Sequence, residues 1–512
     1  MNDELIQINE EIEKTRDSIK QLRTIVLAQR KDLRYEIGDL FAESRHPFYK
    51  VFLIPGKLAK MRREYRVSKT EAKIEDEDYN DSDFELANKY LKELKNVKNQ
   101  LEFYSKLGAH DLRYCVGTQV LSALNQPIKF LGLPVSLVKL YKKKKNVSMK
   151  LGKIEGIDEA VLFIATNGAG LGHLTRCLAI ARQLKRVRPD VEIIFLTTSL
   201  ALSVVNKEGF LSYCIPSKML IDGISAQQWN AMLKTQLSQI MSLYGFKAVV
   251  FDGATPYASI SAAMAKGEAV KIWTKRGGEK TAEIAEARRK MEDQFDLVII
   301  PGEAGQSVPK DDQKHRYVNS ILYLDKEELW TREDVRTYLK IPKDKKAVYI
   351  QLGAGNINDT DSDLGLIVHE LRKRDDIVMI IGESLIGKEM KIIEEDIIII
   401  KDYPNSKFFN GFDFAISAVG YNSFHEMVYN CLPAIFLPNM NTKTDDQYGR
   451  AMIAENGGAG RVITELTAET FNQCVDDMCD EEKNAAMRKA AAKIMDVNGA
   501  IEAANVIVEA MK

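Results

Sequence analysis

Two series of short apolar segments, each followed by a stretch of helix length, run from about residue 159 to the C-terminus. The first series consists of 161–166, 191–197, 248–251, 270–273 and 297–300. The second consists of 347–351, 377–381, 397–400, 414–417 and 434–437. Apolar runs of this length, separated by helices, are typical of parallel strands buried on both faces of a sheet. We therefore predict an α/β protein with two doubly wound, Rossmann-like domains. They span 159–322 and 345–512, the latter with the C-terminal helices, and face each other across a cleft.

The first 150 residues are charged and have the spacing of helices rather than strands. Along 5–26, apolar residues recur at alternating three- and four-residue steps, with Thr15 the one polar member, which predicts a helix with one apolar seam. The pattern DLRYxxG occurs at 32–38 and again at 111–117, and each copy leads to a Pro-bounded apolar stretch that ends in basic residues. Residues 1–150 are therefore predicted to be α-helical, partly coiled-coil, and built from two tandem amphipathic units.

The basic ends of these units, above all Lys142–Lys145, suggest a membrane surface as partner. Burial of an apolar face among acyl chains and attraction of lysines to anionic lipid add together, so such units suit an anionic membrane. The alternative is that the units pack on each other or on a second copy of the chain, which would give a homo-oligomer through the N-terminal helices.

Charge and cysteine usage narrow the classes of protein further. Lys and Arg together number 72 and Asp and Glu 73, which excludes a protein that binds nucleic acid with its whole surface. The six cysteines are scattered without a CxxC pair, which favours a reducing compartment over a disulfide framework or zinc site. No apolar run reaches the roughly 18 to 20 residues that cross a bilayer, and the N-terminus is not typical of a signal peptide. We expect a cytoplasmic protein that can bind peripherally to the inner face of the membrane.

A glycine-rich loop, Gly168-Ala169-Gly170-Leu171-Gly172-His173, joins the first predicted strand to a helix. Glycines at such a turn let backbone N–H groups approach an anionic or oxygen-rich ligand. The loop is not a dinucleotide fingerprint, because His173 replaces the third glycine and 197–199 lacks the expected ribose-binding acid. A P-loop is excluded as well, since no Gly-Lys-Ser/Thr follows.

His173 would lie in the first turn of that helix, where the helix dipole favours a neutral imidazole. A neutral imidazole can accept a proton from a hydroxyl, so we predict a general base. The alternative is a histidine that only caps the turn through a ring nitrogen.

The second domain also has a glycine loop after a strand, with the residues Gly353, Ala354, Gly355 and Asn356, which suits a phosphate. The acidic run 359–363 that follows has the DxD spacing of metal-dependent sugar transferases. Because the run directly precedes an apolar helical segment, we favour helix capping over metal binding for it.

Further along, a strand at 414–417 and a turn at 418–420 lead into a helix that opens with Tyr421, Asn422, Ser423, Phe424, His425 and Glu426. The N-terminus of a helix offers unpaired N–H groups to a diphosphate, and Glu426 is placed to reach a ribose diol. Asp446 and Gln447 open another helix, and an acid beside an amide suits the hydroxyls of a sugar.

On these motifs, residues 159–465 resemble the GT-B glycosyltransferases of family 28, which includes the N-acetylglucosaminyltransferase that makes lipid II. The resemblance implies an acceptor-facing loop with Gly170, Gly172 and His173. It implies diphosphate and ribose contacts from Ser417, Gly420 and Glu426, donor-sugar contacts from Asp446 and Gln447, and a nucleobase near Tyr403. The loop Gly353 to Asn356 stands where the family has glycine and serine, and it departs from the family by lacking serine.

The family implies an inverting, metal-independent transfer from a UDP-sugar, with no further cofactor, to a lipid-linked or polymeric glycan acceptor in cell-surface polysaccharide or glycolipid synthesis. His173 would deprotonate the acceptor hydroxyl. Asp252 and Arg276 follow first-domain strands, so Asp252 is a candidate to orient His173 or hold the acceptor, and Arg276 to meet phosphate. For both, a salt bridge within the fold is the alternative.

Two rival functions fit the same residues. Gly170 to Arg176 is also similar to the loop of the UDP-sugar hydrolase of pseudaminic acid synthesis, which uses its histidine to activate water. The tandem basic units favour transfer to a lipid-linked or surface polymer over hydrolysis. The second rival is a non-catalytic scaffold that only binds nucleotide, against which the combination of His173 with a full donor set argues.

Overall fold

The computed structural model describes most of the chain from residue 159 onward. The described ranges are 159–166, 171–199, 201–215, 217–218, 225–265, 267–276, 282–353, 360–383, 396–442 and 445–512, with eight helical positions between residues 7 and 21. Among these eight, Thr15 is buried and its hydroxyl donates to the Glu11 carbonyl at 2.7 Å. The predicted coiled coil, the tandem units and Lys142–Lys145 otherwise lie outside the described residues. Within those residues, no helix is long and apolar enough to cross a bilayer.

The first sheet has seven strands in the order β3-β2-β1-β4-β5-β6-β7. They are β1 (Ala160–Ala165), β2 (Glu192–Thr197), β3 (Leu211–Cys214), β4 (Phe246–Asp252), β5 (Val270–Thr274), β6 (Leu297–Pro301) and β7 (His315–Val318). The central strand β1 is buried along its whole length and pairs in parallel with β2 and β4. Complete burial of an uninterrupted apolar strand requires cover on both faces, as the sequence predicts.

Five helices accompany this sheet and form, with it, what we call the first lobe. They are α1 (Gly172–Val187), α2 (Leu202–Lys207), α3 (Ala226–Leu243), α4 (Ala258–Met264) and α5 (Ala282–Glu292). Helix α1 begins at Gly172, so the last two residues of the glycine-rich motif form its first turn, and it buries an apolar face that includes Leu174, Leu178 and Ala181. Lys185 and Arg186 lie in its last turn, where positive charge stabilises the helix dipole.

The second sheet has six strands in the order β10-β9-β8-β11-β12-β13. They are β8 (Lys346–Gln351), β9 (Ile377–Gly382), β10 (Ile397–Ile400), β11 (Phe414–Ala418), β12 (Ala434–Leu437) and β13 (Gly460–Val462). With α6 (Arg332–Tyr338), α7 (Thr360–Leu371), α8 (Tyr421–Tyr429), α9 (Gln447–Asn456), α10 (Ala468–Cys479), α11 (Glu481–Ile494) and the 3₁₀ helix Asn405–Gly411, this sheet forms the second lobe. A last helix, α12 (Ala500–Ala510), follows. The predicted pair of doubly wound domains is confirmed.

Both sheets reverse their strand order at the centre, between β1 and β4 in the first and between β8 and β11 in the second. At such a switch point the two connections leave the sheet in opposite directions, and a crevice opens beyond the carboxyl ends of the strands. The segments that follow β1, β4, β8 and β11 carry the predicted motifs, so the fold gathers them around two crevices.

The C-terminal helix departs from the predicted domain boundary. Helix α12 packs against α1 of the first lobe rather than completing the second lobe. The Glu502 carboxylate accepts from the Asn319 backbone N–H at 2.7 Å and from its side-chain amide at 2.9 Å. A Cβ at Gly499 would lie only 2.0 Å from the Asn319 carbonyl oxygen, so the chain crosses here where only glycine fits. The last helix of the predicted second domain, 345–512, thus lies against the first lobe.

We expect Asn498→Ala to lower the free energy of unfolding by about 3 kcal/mol, because each buried polar group left unpaired costs about 1–3 kcal/mol. The Asn498 Oδ1 accepts from the Leu322 and Ala500 N–H groups at 3.0 Å each. Its Nδ2 donates to the Leu322 carbonyl at 3.2 Å and to Asp325 Oδ1 at 2.8 Å. Urea denaturation measures the change, with the exposed neighbour Val497→Ala as control. A loss no larger than that of the control would contradict the anchoring role of this crossing.

Candidate active site

A cavity of about 570 Å³ lies between the lobes, at the carboxyl ends of both sheets. Its wall on the side of the first lobe includes Gly172, His173, Thr175, Arg176, Gly253, Lys275 and Arg276. Its wall on the side of the second lobe includes Gly353, Tyr403, Gly420, Tyr421, Asn422, Ser423, Glu426 and Asp445. A cavity of this size is typical of small-molecule and cofactor sites.

The two predicted motifs touch each other across this cavity. The Asn422 side-chain amide donates to the Gly172 carbonyl at 3.2 Å. The Tyr403 hydroxyl donates to Thr175 Oγ1 at 2.6 Å, which adds a second bond between the lobes. The start of α1 and the start of α8 are thus neighbours, and a ligand at one is within reach of side chains at the other.

His173 forms a hydrogen bond with a buried carboxylate on the neighbouring strand. Its Nδ1 lies 2.6 Å from Asp252 Oδ1, at the end of β4. Because a carboxylate can only accept, Nδ1 carries the proton and, in the neutral ring, Nε2 is left with its lone pair. The His173 side chain is 32% exposed whereas Asp252 is fully buried. The imidazole can therefore meet a ligand, while the carboxylate can only act through it.

Arg176, one turn after His173, keeps Asp252 charged. Its Nε and Nη2 donate to the two carboxylate oxygens at 2.7 and 2.5 Å. Burial alone raises the pKa of Asp252, but the Arg176 charge and the His173 contact outweigh burial and hold that pKa below its usual value. This arrangement fixes the ring of His173 in one orientation.

On the opposite side of the cavity, α8 presents an uncapped N-terminus. Gly420 is the N-cap and has no side chain to bond the first N–H groups of the helix. A Cβ at Gly420 would meet no atom of the described residues within 4 Å, so there is room beside the start of the helix. Unpaired N–H groups and the positive end of the helix dipole together suit a phosphate.

Glu426 lies in the second turn of α8 and faces the same cavity. Burial raises the pKa of its carboxyl to about 7, and the neighbouring Ser406 hydroxyl only partly offsets burial. Near neutral pH this carboxyl is therefore divided between its protonated and ionised forms, and a hydrogen-bond donor on a ligand would favour the ionised form.

Three guanidinium groups surround the ring of Tyr421, the first residue of α8. Arg176, Arg276 and Arg450 lie 5.7, 5.4 and 5.5 Å from its centroid, within the range of cation–π attraction. The Tyr421 hydroxyl donates to the Gly302 carbonyl at 2.6 Å, in the loop that joins β6 to β7 of the first sheet. Tyr421 is thus the point where cations from both lobes converge.

The structure does not bring every predicted donor residue to the cavity. Ser417 is buried within β11, and its hydroxyl donates to the Ala418 carbonyl. Asp446 is the N-cap of α9 and accepts from the Gly449 N–H at 2.9 Å, while Gln447 Oε1 accepts from the Asn439 N–H at 3.0 Å. The helix start therefore uses both side chains that were predicted to contact a sugar, and neither lines the cavity.

Some predicted site residues lie outside the described part of the chain, and one predicted residue both lines the cavity and forms a salt bridge. Gly170, Ala354, Gly355 and Asn356, and the start of the acidic run 359–363, lie outside the described residues. Arg276 lines the cavity and also forms the salt bridge that was its alternative, with Asp445 at 2.9 Å.

Sequence reasoning missed Glu303, Asp445 and Arg450. Arg450 donates to Glu303 through Nε and Nη2 at 2.9 and 3.0 Å, and to Asp445 through Nη2 at 2.8 Å. Contacts with Arg450 and His425 outweigh burial and lower the pKa of Glu303 to about 2. Glu303 follows the end of β6, so the strand-end argument that selected Asp252 would have selected it too.

Comparison with known proteins gives matches over both lobes. Residues 353–504 match the Glycosyltransferase family 28 C-terminal domain. A UDP-N-acetylglucosamine–N-acetylmuramyl-(pentapeptide) pyrophosphoryl-undecaprenol N-acetylglucosamine transferase of Christiangramia forsetii is 27% identical over 66% of this chain and 93% of that protein. The enzyme of the same description from Acetivibrio thermocellus is 25% identical over 68% of this chain and 98% of its own. The predicted resemblance to family 28 is confirmed.

Among solved structures, one described as MurG of Acinetobacter baumannii is 16% identical, with a TM-score of 0.45, and the alignment covers 69% of this chain and 99% of that chain. A glycosyltransferase of kitacinnamycin is 15% identical, with a TM-score of 0.48 and coverage of 69% and 99%.

The raised pKa of Glu426 gives a testable dependence of stability on pH. The folded protein holds the Glu426 proton more tightly than the unfolded chain, whose glutamate has a pKa near 4.5. Stability from this group is therefore complete below pH 4.5 and is lost as pH rises to about 7. Since Gln does not titrate, Glu426→Gln should become more stable relative to wild type by about 2 kcal/mol between pH 5 and pH 8.

Chemical denaturation at the two pH values measures this difference. Glu509→Gln, on the exposed side of α12, is the control. Equal pH dependence in wild type and Glu426→Gln would show that the Glu426 carboxyl is not desolvated in the fold.

Proposed function

We propose that this chain, a glycosyltransferase with a family 28 C-terminal domain, transfers a sugar from a UDP-sugar to a hydroxyl of a lipid-linked or polymeric glycan. The reaction would serve cell-surface polysaccharide or glycolipid synthesis. The observation that carries the proposal is the bond of Asp252 to His173, opposite the uncapped N-terminus of α8 across one cavity. The names of the two related transferases contain a UDP-sugar and a pyrophosphoryl-undecaprenol, which supports the same class of donor and acceptor.

The second lobe would bind the donor. The diphosphate would accept from the first N–H groups of α8, where Gly420 leaves room for it. Glu426, on the same helix and in the same cavity, would accept from the ribose hydroxyls in its ionised form. Tyr403 lines the same cavity, as does Ser406, the neighbour of Glu426. The nucleobase would therefore bind near Tyr403. The sugar would then project toward His173.

The chemical step would be a single displacement. His173 Nε2 would take the proton of the acceptor hydroxyl while the hydroxyl oxygen bonds to the anomeric carbon of the donor sugar. The bond from that carbon to the diphosphate oxygen would break in the same step. Attack from the face opposite the leaving group inverts the anomeric centre. Asp252 stabilises the imidazolium that forms, and Arg176 keeps Asp252 charged.

The charge that develops on the leaving diphosphate would be stabilised by groups of the protein. The N-terminus of α8 supplies N–H donors, and Arg276 supplies a cation at the cavity wall. We propose on this ground that the transfer needs no metal ion, since fixed dipoles and a guanidinium stand where a bound cation would otherwise act.

Hydrolysis of a UDP-sugar is the second candidate. Arg176 lies three residues after His173, and both side chains form hydrogen bonds with Asp252. This arrangement favours hydrolysis as a candidate, because it would activate a water molecule as well as a sugar hydroxyl. Omission of the acceptor separates the two functions. A transferase should release little UDP without acceptor, whereas a hydrolase should release UDP at the same rate with or without it.

We expect His173→Ala to lower the rate of UDP release in the presence of acceptor by at least about 100-fold, the usual contribution of a general base. The measurement is UDP release from a panel of UDP-sugars with lipid-linked and oligosaccharide acceptors. The control is His369→Ala, since His369 is an exposed histidine on α7 of the second lobe. Near wild-type turnover in His173→Ala would remove the assigned base, and UDP binding without turnover in wild type would identify a scaffold.

We also propose that the N-terminal units dock the enzyme to an anionic membrane, where a lipid-linked acceptor would be found. The proposal rests on Lys142–Lys145 and the apolar stretch before them. Full-length protein should float with vesicles that contain anionic lipid, less so as salt rises, and changing the four lysines to Gln should lower the bound fraction several-fold. Flotation that is insensitive to both salt and these changes would argue for packing on a partner chain.

A further inference from the structure

The three arginines around Tyr421 are not equivalent in their ion pairs. Arg176 and Arg450 are each 4% exposed, and each holds a carboxylate through two nitrogens. Arg276 is 25% exposed and lines the cavity. Among the residues that the structure describes, its one ion pair is with Asp445, through Nη2 alone. Within the described part of the chain, Arg276 therefore uses one guanidinium nitrogen in an ion pair, whereas Arg176 uses Nε and Nη2 and Arg450 uses all three nitrogens.

Asp445 joins the two lobes through these arginines. It precedes α9 in the second lobe, and its Oδ1 accepts from Arg450 of the same lobe at 2.8 Å. The same Oδ1 lies 2.9 Å from Nη2 of Arg276, which follows β5 in the first lobe. One carboxylate oxygen thus holds two guanidinium groups, one from each lobe, against the ring of Tyr421.

Without the Asp445 carboxylate, the present position of the Arg276 side chain would be electrostatically unfavourable. Burial lowers the pKa of Arg276 most, Asp445 opposes this effect, and the like charges of Arg450 and Arg176 lower the pKa further. Carboxylates near a partly buried cation offset both burial and the repulsion from like charges, and for Arg276 these carboxylates are Asp445 first and Glu303 second. Loss of Asp445 would favour a rotamer in which the Arg276 side chain turns to solvent.

We propose that Asp445 is a positioning residue for the leaving diphosphate, because it holds Arg276 at the N-terminus of α8 when the lobes face each other. The guanidinium lies 5.4 Å from the ring of the first residue of that helix. One phosphate of a nucleoside diphosphate meets the N–H groups of α8, and Arg276 meets the other. Asp445 therefore sets the preference for a nucleoside diphosphate over a monophosphate. The inference rests on the proposed function for the location of the donor.

The test compares the affinities of full-length protein for UDP and for UMP by calorimetry. Asp445→Asn should weaken UDP by about 10-fold, which corresponds to about 1.4 kcal/mol, and leave UMP within about 2-fold. In Arg276→Ala the same selective loss should occur. The double variant should lose no more than Arg276→Ala alone, since Asp445 acts through that side chain.

Asp477→Asn is the matched control. Asp477 lies in α10 of the same lobe and, like Asp445, holds two cations, with Arg461 Nε at 2.8 Å and Lys483 Nζ at 2.5 Å. Its exposure is 22%, close to the 16% of Asp445, but it does not line the cavity. Asp477→Asn should keep both nucleotide affinities, which separates a local effect on diphosphate from a general loss of charge pairing.

The outcomes distinguish this inference from the function on which it rests. Equal weakening of UDP and UMP in Asp445→Asn, or a ratio equal to that of wild type, overturns the positioning role alone. Failure of wild type to bind either nucleotide overturns the donor site and the inference together. Thermal unfolding of each variant checks that it folds. If Asp445→Asn does not fold, Arg276→Ala decides: a selective loss of UDP supports the inference and an equal loss overturns it.

Discussion

The reversal of strand order at the centre of each sheet is the constraint on which the site depends. Connections from β1 and β4, and from β8 and β11, leave their sheets in opposite directions, so a crevice opens beyond the carboxyl ends of the strands in each lobe. The start of α1 with its histidine lies at one crevice and the start of α8 at the other. On the proposed function, the base lies in the first lobe and the donor-binding helix in the second, so the reaction requires the two lobes to face each other.

Several cations between the lobes lie beside carboxylates, and these pairs set the orientation of the side chains more than they add to stability. Removing two charges from water costs several kcal/mol per ion, so pairs such as Arg450 with Glu303 and Arg176 with Asp252 add little net stability. What they fix is orientation, since two-nitrogen contacts allow a single arrangement of each guanidinium. Glu426 is the opposite case, because its burial without a cation costs stability and leaves a carboxyl ready for a donor on a ligand.

The sequence predicted the features that depend on local pattern. Central strands are continuous apolar runs, and their positions agree with the structure within a residue or two. The edge strands β3, β7 and β13 escaped prediction because they are only three or four residues long, and β7 and β13 are also mostly half-buried. The sequence also did not predict which of two adjacent aspartates lines the cavity. Asp446 was expected there, but its carboxylate caps α9, and Asp445 lines the cavity instead. Pairs such as Arg450 and Glu303 carry no signal in spacing, since partners 147 residues apart meet only through the fold.

The return of α12 to the first lobe means that the chain passes between the lobes twice, after β7 and again near Gly499. A single connection would allow the two lobes to rotate relative to each other about several axes. Two connections restrict this relative rotation mainly to one axis, about which the cleft can open for substrate and close again. The tail of the protein therefore selects the path of closure, although it contributes no residue to the cavity described above.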